Sequence, residues 1–140
     1  MSLPPLPLST PAMLLYAIAT AAVLVYLPFL AVAYGRLQAG YDMAQPRALF
    51  DKLPAYAQRA TWAHENAFES FVLFAAAALM AYATGQQSAL AGWAAIAYVV
   101  ARLLYPTFYI LNVPIGRSLM FLIGSLSITT LIGLSLLTVK

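Results

Sequence analysis

Apolar residues fill four long stretches of the chain, Met13 to Tyr34, Ala63 to Thr84, Ala89 to Tyr109 and Ser118 to Val139. Each is close to the roughly 20 residues that a helix needs to cross a hydrocarbon core. The stretches are continuous where a membrane barrel strand would alternate. Backbone groups in lipid must find partners within their own segment, so each stretch predicts a helix. The expected fold is therefore an all-α integral membrane domain, a four-transmembrane-helix bundle that takes in residues 1–140 as one unit. Residues 1–12, MSLPPLPLSTPA, form an extended, mobile lead-in. The first span is too long for a signal-peptide core and no basic residue precedes it, so it reads as a retained anchor.

Polar residues mark the connections. Loop one, from Gly35 to about Ala60, is the only long one; Pro46 and Pro54 punctuate it, and Ala48 to Lys52 suits a short interfacial helix with Tyr41 and Tyr56 as headgroup anchors. The GQQSA stretch after Thr84 is a tight uncharged turn. Around LNVPIG, Pro114 and Gly116 separate the last two spans. Pro28 and Pro106 lie inside apolar runs, where proline kinks a membrane helix, and a kink at Pro106 would open space beside its tyrosines.

Composition agrees with a lipid setting: 64% of residues are hydrophobic and 8% charged, with a mean hydropathy of +0.85, against about 25% charged in soluble domains. The net charge of +3 invites a nucleic-acid reading that its distribution refutes. Arg36, Arg47, Lys52, Arg59, Arg102 and Arg117, six of the seven basic side chains, lie in or near loops one and three. By the positive-inside rule those loops are cytoplasmic and both termini face the other way. With no Cys and a single His, neither disulfides nor haem or zinc ligation is expected, and thiol chemistry would have to come from a ligand.

One apolar span begins with polar residues. TWAHENAFES, residues 61–70, holds His64, Glu65, Asn66 and Glu69. If that span starts near Ala63, Asn66 is about 5 Å and Glu69 about 9 Å below the boundary, and Arg102 in the antiparallel third span is at a matching depth of about 10 Å. A lone charge there costs at least about 2.5–3.5 kcal/mol, so Glu69 and Arg102 are expected to pair. Asn66 and Glu69 are three residues apart, while Tyr98, Arg102, Tyr105 and Tyr109 follow helical spacing. Each set makes one stripe, and the two stripes are expected to face one cleft with Arg59, Trp62 and Arg117 at its rim. His64 and Glu65 point elsewhere and are expected to be solvated. Simpler roles stand beside this one: a Glu69–Arg102 structural clamp, Tyr109 as interfacial belt, and Arg59 and Arg117 as positive-inside anchors. Because the polar residues gather at one end, a path across the membrane for ions or solutes is not supported.

Together these residues resemble the MAPEG family, the membrane-associated proteins in eicosanoid and glutathione metabolism that include the microsomal glutathione transferases. RATWAHENAFESFVLF is similar to the family's second helix, ARLLYPTFY to its third, RSLMFLIG to the head of its fourth, and YDMAQPRALF to the first loop of small bacterial members. The resemblance implies a homotrimer with glutathione, and no metal, bound between subunits near the cytoplasmic face. Asn66, Glu69, Arg102, Tyr105 and Tyr109 match positions of the glutathione site. Arg117 matches the arginine that stabilises the thiolate, and makes the catalytic candidate with Tyr109. The chemistry is sound: a guanidinium beside a thiol of pKa near 8.5 favours the thiolate, and forked arginines suit the tripeptide's carboxylates.

The sequence departs from the family pattern at Trp62, where several members carry a ligand-binding arginine that Arg59 would replace, and at Ser70, where some carry a larger residue. The implied activity is glutathione transfer to, or peroxide reduction on, lipophilic small molecules in a bacterial inner membrane. The alternative is a non-catalytic scaffold, a lipid-binding protein or an accessory subunit of a larger membrane complex.

Overall fold

The computed structural model describes residues 4–139. Four helices are long and apolar enough to cross a membrane: Thr10–Gln38, Ala55–Ala83, Ala89–Ile110 and Pro114–Thr138. The first is broken into α1, Thr10–Leu24, and α2, Leu27–Gln38; the others are α3, α4 and α5. The expected helices are all present, and the ends are where the structure differs.

The break follows from Pro28. Its ring nitrogen carries no hydrogen, so the helical ladder loses a donor there. The Phe29 N–H turns to the Tyr26 carbonyl at 3.1 Å, and the Val25 carbonyl instead accepts from Nδ1 of His64 at 2.8 Å. A carbonyl only accepts, so the contact requires the Nδ1–H form of the ring. His64, expected to be solvated, thus repairs the kink. Pro106, by contrast, lies within an unbroken α4 and is buried next to buried Tyr105.

Helix α3 begins at Ala55, well before the expected Ala63, and its 29 residues extend about 43 Å against a core of about 30 Å. Counting about 20 residues back from Ala83 sets the hydrocarbon boundary near His64, so the first two turns stand outside. They pack on the end of α2. Tyr56 donates to Gln38 Oε1 at 2.6 Å, and a Cβ at Gly35 would collide with the methyl of Ala57. Loop one contains a 3₁₀ turn at Phe50–Lys52 in place of the longer helix expected from Ala48.

At the opposite end the GQQS turn is tied down. Gly85, at φ +68, ends α3 with the paired bonds Gln86 N–H to Ala81 and Gly85 N–H to Tyr82, the Schellman arrangement that favours glycine. Gln86 then donates to the Leu134 carbonyl at 3.2 Å and to Thr138 at 3.0 Å. Thr10 donates to the Gln87 carbonyl at 3.2 Å. Residues 4–9 are docked against α4 rather than free: Trp93 Nε1 donates to the Pro4 carbonyl at 3.0 Å, and Leu6 covers Gly92. The rest of the expected lead-in, residues 1–3, and Lys140 lie outside the described residues.

The core is built from small side chains. Ala17, Ala21, Ala77, Ala78, Ala81, Ala91 and Ala95 are buried around Leu14, Phe74, Tyr98 and Leu131. Helices in lipid gain little from hydrophobic transfer and depend on close backbone approach, which alanine and glycine permit. Gly35→Ala is therefore expected to lower stability by about 1–3 kcal/mol through overpacking. Gly133→Ala, where nothing lies within 4 Å of the new methyl, is expected to raise it by about 0.5–1 kcal/mol through helix propensity. Unfolding of the two variants in detergent checks the opposite signs.

Candidate functional site

Arg102 is buried just past the midpoint of α4, at 5% exposure. Its guanidinium donates to Asn66 Oδ1 at 3.1 Å and lies over the Tyr105 ring at 4.4 Å. Gly124 of α5 faces it, and a Cβ there would make ordinary contact, 3.8 Å from Arg102 Cδ and from the Tyr98 ring. The expected Glu69–Arg102 ion pair is not formed. Three residues along a helix turn the side chain by about 60° from its starting face. Asn66 points toward α4, whereas Glu69 is exposed and lines a different cavity with His64 and Glu65. The two residues expected in one stripe thus serve two places.

The end of α4 is fixed by several independent restraints. Asn112, at φ 58, closes the helix by Val113 N–H to Phe108 and Asn112 N–H to Tyr109, a Schellman ending in which asparagine takes glycine's role. Pro114 starts α5 with its preset φ. Gly116 lies so close under the Phe108 ring that a Cβ would approach it to 2.7 Å. Arg59 Nε donates to the Ile110 carbonyl at 2.9 Å, so a side chain expected at the ligand rim caps the helix.

These restraints aim Arg117, in the first turn of α5, at Tyr109. Its guanidinium is 4.6 Å from that ring's centre, and Tyr109 meets Tyr105 edge-on at 5.6 Å. Beside them is a cavity of about 300 Å³ lined by Asn66, Tyr105, Tyr109, Arg117, Ser118 and Phe121. Arg102 stands one layer behind this wall, holding Asn66 and Tyr105. The cavity therefore has a cation on its rim, an amide and two phenols on its floor, and an apolar side at Phe121. That is a suitable lining for an anionic, flexible ligand with a nucleophilic end.

Ser118 and Phe121 had no signal in the sequence beyond their place at the head of a span. The Asn112 ending did have one, an asparagine two residues before proline. The departures are also explained locally: Trp62 packs against Phe50 at 5.7 Å, and the Ser70 hydroxyl meets that of Tyr98 at 3.0 Å, with Tyr98 stacked on Phe74 at 3.7 Å.

The partner assignment can be tested by a double-mutant cycle. Asn66→Ala and Arg102→Met are expected to couple by about 0.5–3 kcal/mol, as groups in contact do. Glu69→Gln and Arg102→Met are expected to add to within about 0.5 kcal/mol. Unfolding free energies of the single and double variants in detergent decide the matter.

Comparison with known proteins places the chain. No curated protein and no solved structure matches it. The model of the MAPEG family matches residues 13–137, a stretch that takes in nearly all of the four spans and every residue of the cavity. The protein belongs to the MAPEG family.

Proposed function

We propose that the protein is a glutathione-dependent membrane enzyme, working as a homotrimer, that transfers the tripeptide to lipophilic electrophiles or reduces lipid hydroperoxides. The observation that carries the reading is the held guanidinium of Arg117 on a cavity lined by Asn66, Tyr105 and Tyr109, in a family associated with glutathione. Arg117 would stabilise the thiolate; Tyr109 keeps its guanidinium in place and offers a hydroxyl at the same rim. Asn66 and Tyr105 would hold the peptide, with Arg102 orienting both and adding positive potential in a poorly screened setting. In transfer, the sulfur lone pair forms a bond to the electrophilic carbon as the leaving group departs with its electrons, and the thiol proton goes to solvent.

The cavity opens at the subunit surface beside exposed Phe121. A neighbouring subunit would close it, which is why the trimer belongs to the proposal, and Glu69 and Arg59 would reach the tripeptide only through that assembly. A non-catalytic scaffold is favoured by one feature, the indole of Trp62 packed on Phe50 where a ligand-binding arginine would otherwise stand.

Mixing the protein with glutathione near pH 7 is expected to give the ultraviolet absorbance of a thiolate, because a cation beside the sulfur lowers its pKa. Arg117→Ala is expected to abolish that signal and to slow turnover of a chloronitrobenzene at least about tenfold, the equivalent of one pKa unit. Binding itself should fall less. Glutathione bound without thiolate, or thiolate unchanged in Arg117→Ala, would remove Arg117 from catalysis.

The proposed setting is a bacterial inner membrane with loops one and three in the cytoplasm. A cysteine in place of exposed Gln87 is expected to label from outside intact cells and one in place of exposed Gln45 is not. Labelling at position 45 alone would reverse the orientation.

A further inference from the structure

The proline that breaks the first span frees two carbonyls, and only one of them is taken up. Pro28 has no N–H to offer the Leu24 carbonyl four residues back. The Phe29 N–H, which would serve Val25, goes to Tyr26 at 3.1 Å, and His64 takes its place. Among the described residues no donor meets the Leu24 carbonyl. Counting from Thr10, Leu24 is about 21 Å into a hydrocarbon core of about 30 Å, out of reach of bulk water. Backbone groups at such depth find partners inside the protein.

The complementary need lies beside it. Leu24 and Val25 line a small cavity together with Ala67 of α3 and with Tyr98 and Arg102 of α4. Arg102 carries five N–H donors, gives one bond to Asn66 and has one face of its guanidinium over the Tyr105 ring. The Tyr98 hydroxyl meets Ser70 at 3.0 Å, and a phenol oxygen can accept a further bond. The wall thus combines an acceptor without a donor, a cation with donors to spare and a hydroxyl. The space measures about 10 Å³, which suits one water and excludes any organic ligand.

From this geometry we infer that the cavity is a binding site for one ordered water, which accepts from Arg102 and donates to the Leu24 carbonyl. Its second proton goes to Tyr98 Oη, giving it three partners, within the range of about 2–4 that buried waters have. Water inserted where a proline interrupts the helical ladder re-satisfies the freed backbone group. Here it also joins the break to another helix. The junction of α1 and α2 is then fastened twice, to α3 through His64 and to α4 through the water, and a change at the kink reaches Arg102. The cavity shares no lining residue with the one beside Arg117 or with the larger one beside Glu65. The water is held whether or not a ligand binds, so the inference does not rest on the glutathione reading.

The test is radiolytic labelling of the glutathione-free protein in nanodiscs, with X-rays as the source and mass spectrometry as the readout. Hydroxyl radicals formed from a bound water attack the side chain beside it, so a buried residue is labelled when ordered water touches it. Tyr98 and Phe74 are equally shut off from solvent, at 1% and 0% exposure, and of the two Tyr98 borders the cavity. After correction for intrinsic reactivity, Tyr98 is expected to be labelled several-fold faster than Phe74. Pro28→Ala gives the Leu24 carbonyl a backbone donor and is expected to bring Tyr98 down to the Phe74 rate, with thermal unfolding to verify the fold. Equal, slow labelling of both residues in the unaltered protein would overturn the inference, and fast labelling of Tyr98 unchanged in Pro28→Ala would overturn the role of the freed carbonyl. If that variant does not fold, diffraction from crystals of the unaltered protein in a lipid mesophase decides: a water peak within hydrogen-bond reach of the Leu24 oxygen and of Arg102 is expected, and a cavity without one would refute the site.

Discussion

A buried guanidinium inside a membrane helix is the constraint around which the rest of the loop-one half is arranged. Arg102 cannot lose its proton, so its charge has to be satisfied in place. Asn66 supplies an oxygen and Tyr105 a ring face. The pairing also fixes the rotation of α3 about its axis, and with it the position of every other polar residue on that helix.

The two ends of the bundle consequently differ in kind. Around Phe74, Tyr98 and the alanines the helices pack closely on apolar atoms, and the terminal turns are tied by Gln86 and Thr10. At the other end the same helices separate around polar groups, and the two largest cavities among the described residues lie there. One is formed by α3, α4 and the start of α5, under the control of the Asn112 turn and the Arg59 cap; the other is formed by α2, loop one and α3. His64 lies on the second cavity's wall and repairs the kink that Pro28 puts between α1 and α2.

Much of this was legible in the residues. Apolar runs give the four helices, helical spacing gives the Tyr98 to Tyr109 stripe, and depth counting puts Glu69 level with Arg102 and Asn66 about one turn nearer the boundary. Pairing by charge was the step that failed, because matched depth says nothing of rotation. Asn66 and Glu69 are near neighbours on a helix, yet a turn of about 60° is enough to give them different surroundings. Arg59 and His64 were misplaced for a related reason. Backbone carbonyls released by a helix end or by a proline are invisible to side-chain patterns, and both side chains are engaged by such carbonyls. Helix α3 extends to Ala55 because Gly35 and Ala57 allow a close crossing, a tertiary contact that no single segment announces.

The central claim, that the cavity beside Arg117 is where the tripeptide binds, is tested most directly by electron cryomicroscopy of the protein in nanodiscs with glutathione. The account predicts peptide density among Asn66, Tyr105, Tyr109 and Arg117, with the sulfur nearest the Arg117 guanidinium. Density in the cavity of Arg36, Arg47 and Glu65 instead, or a sulfur turned away from Arg117, would contradict it.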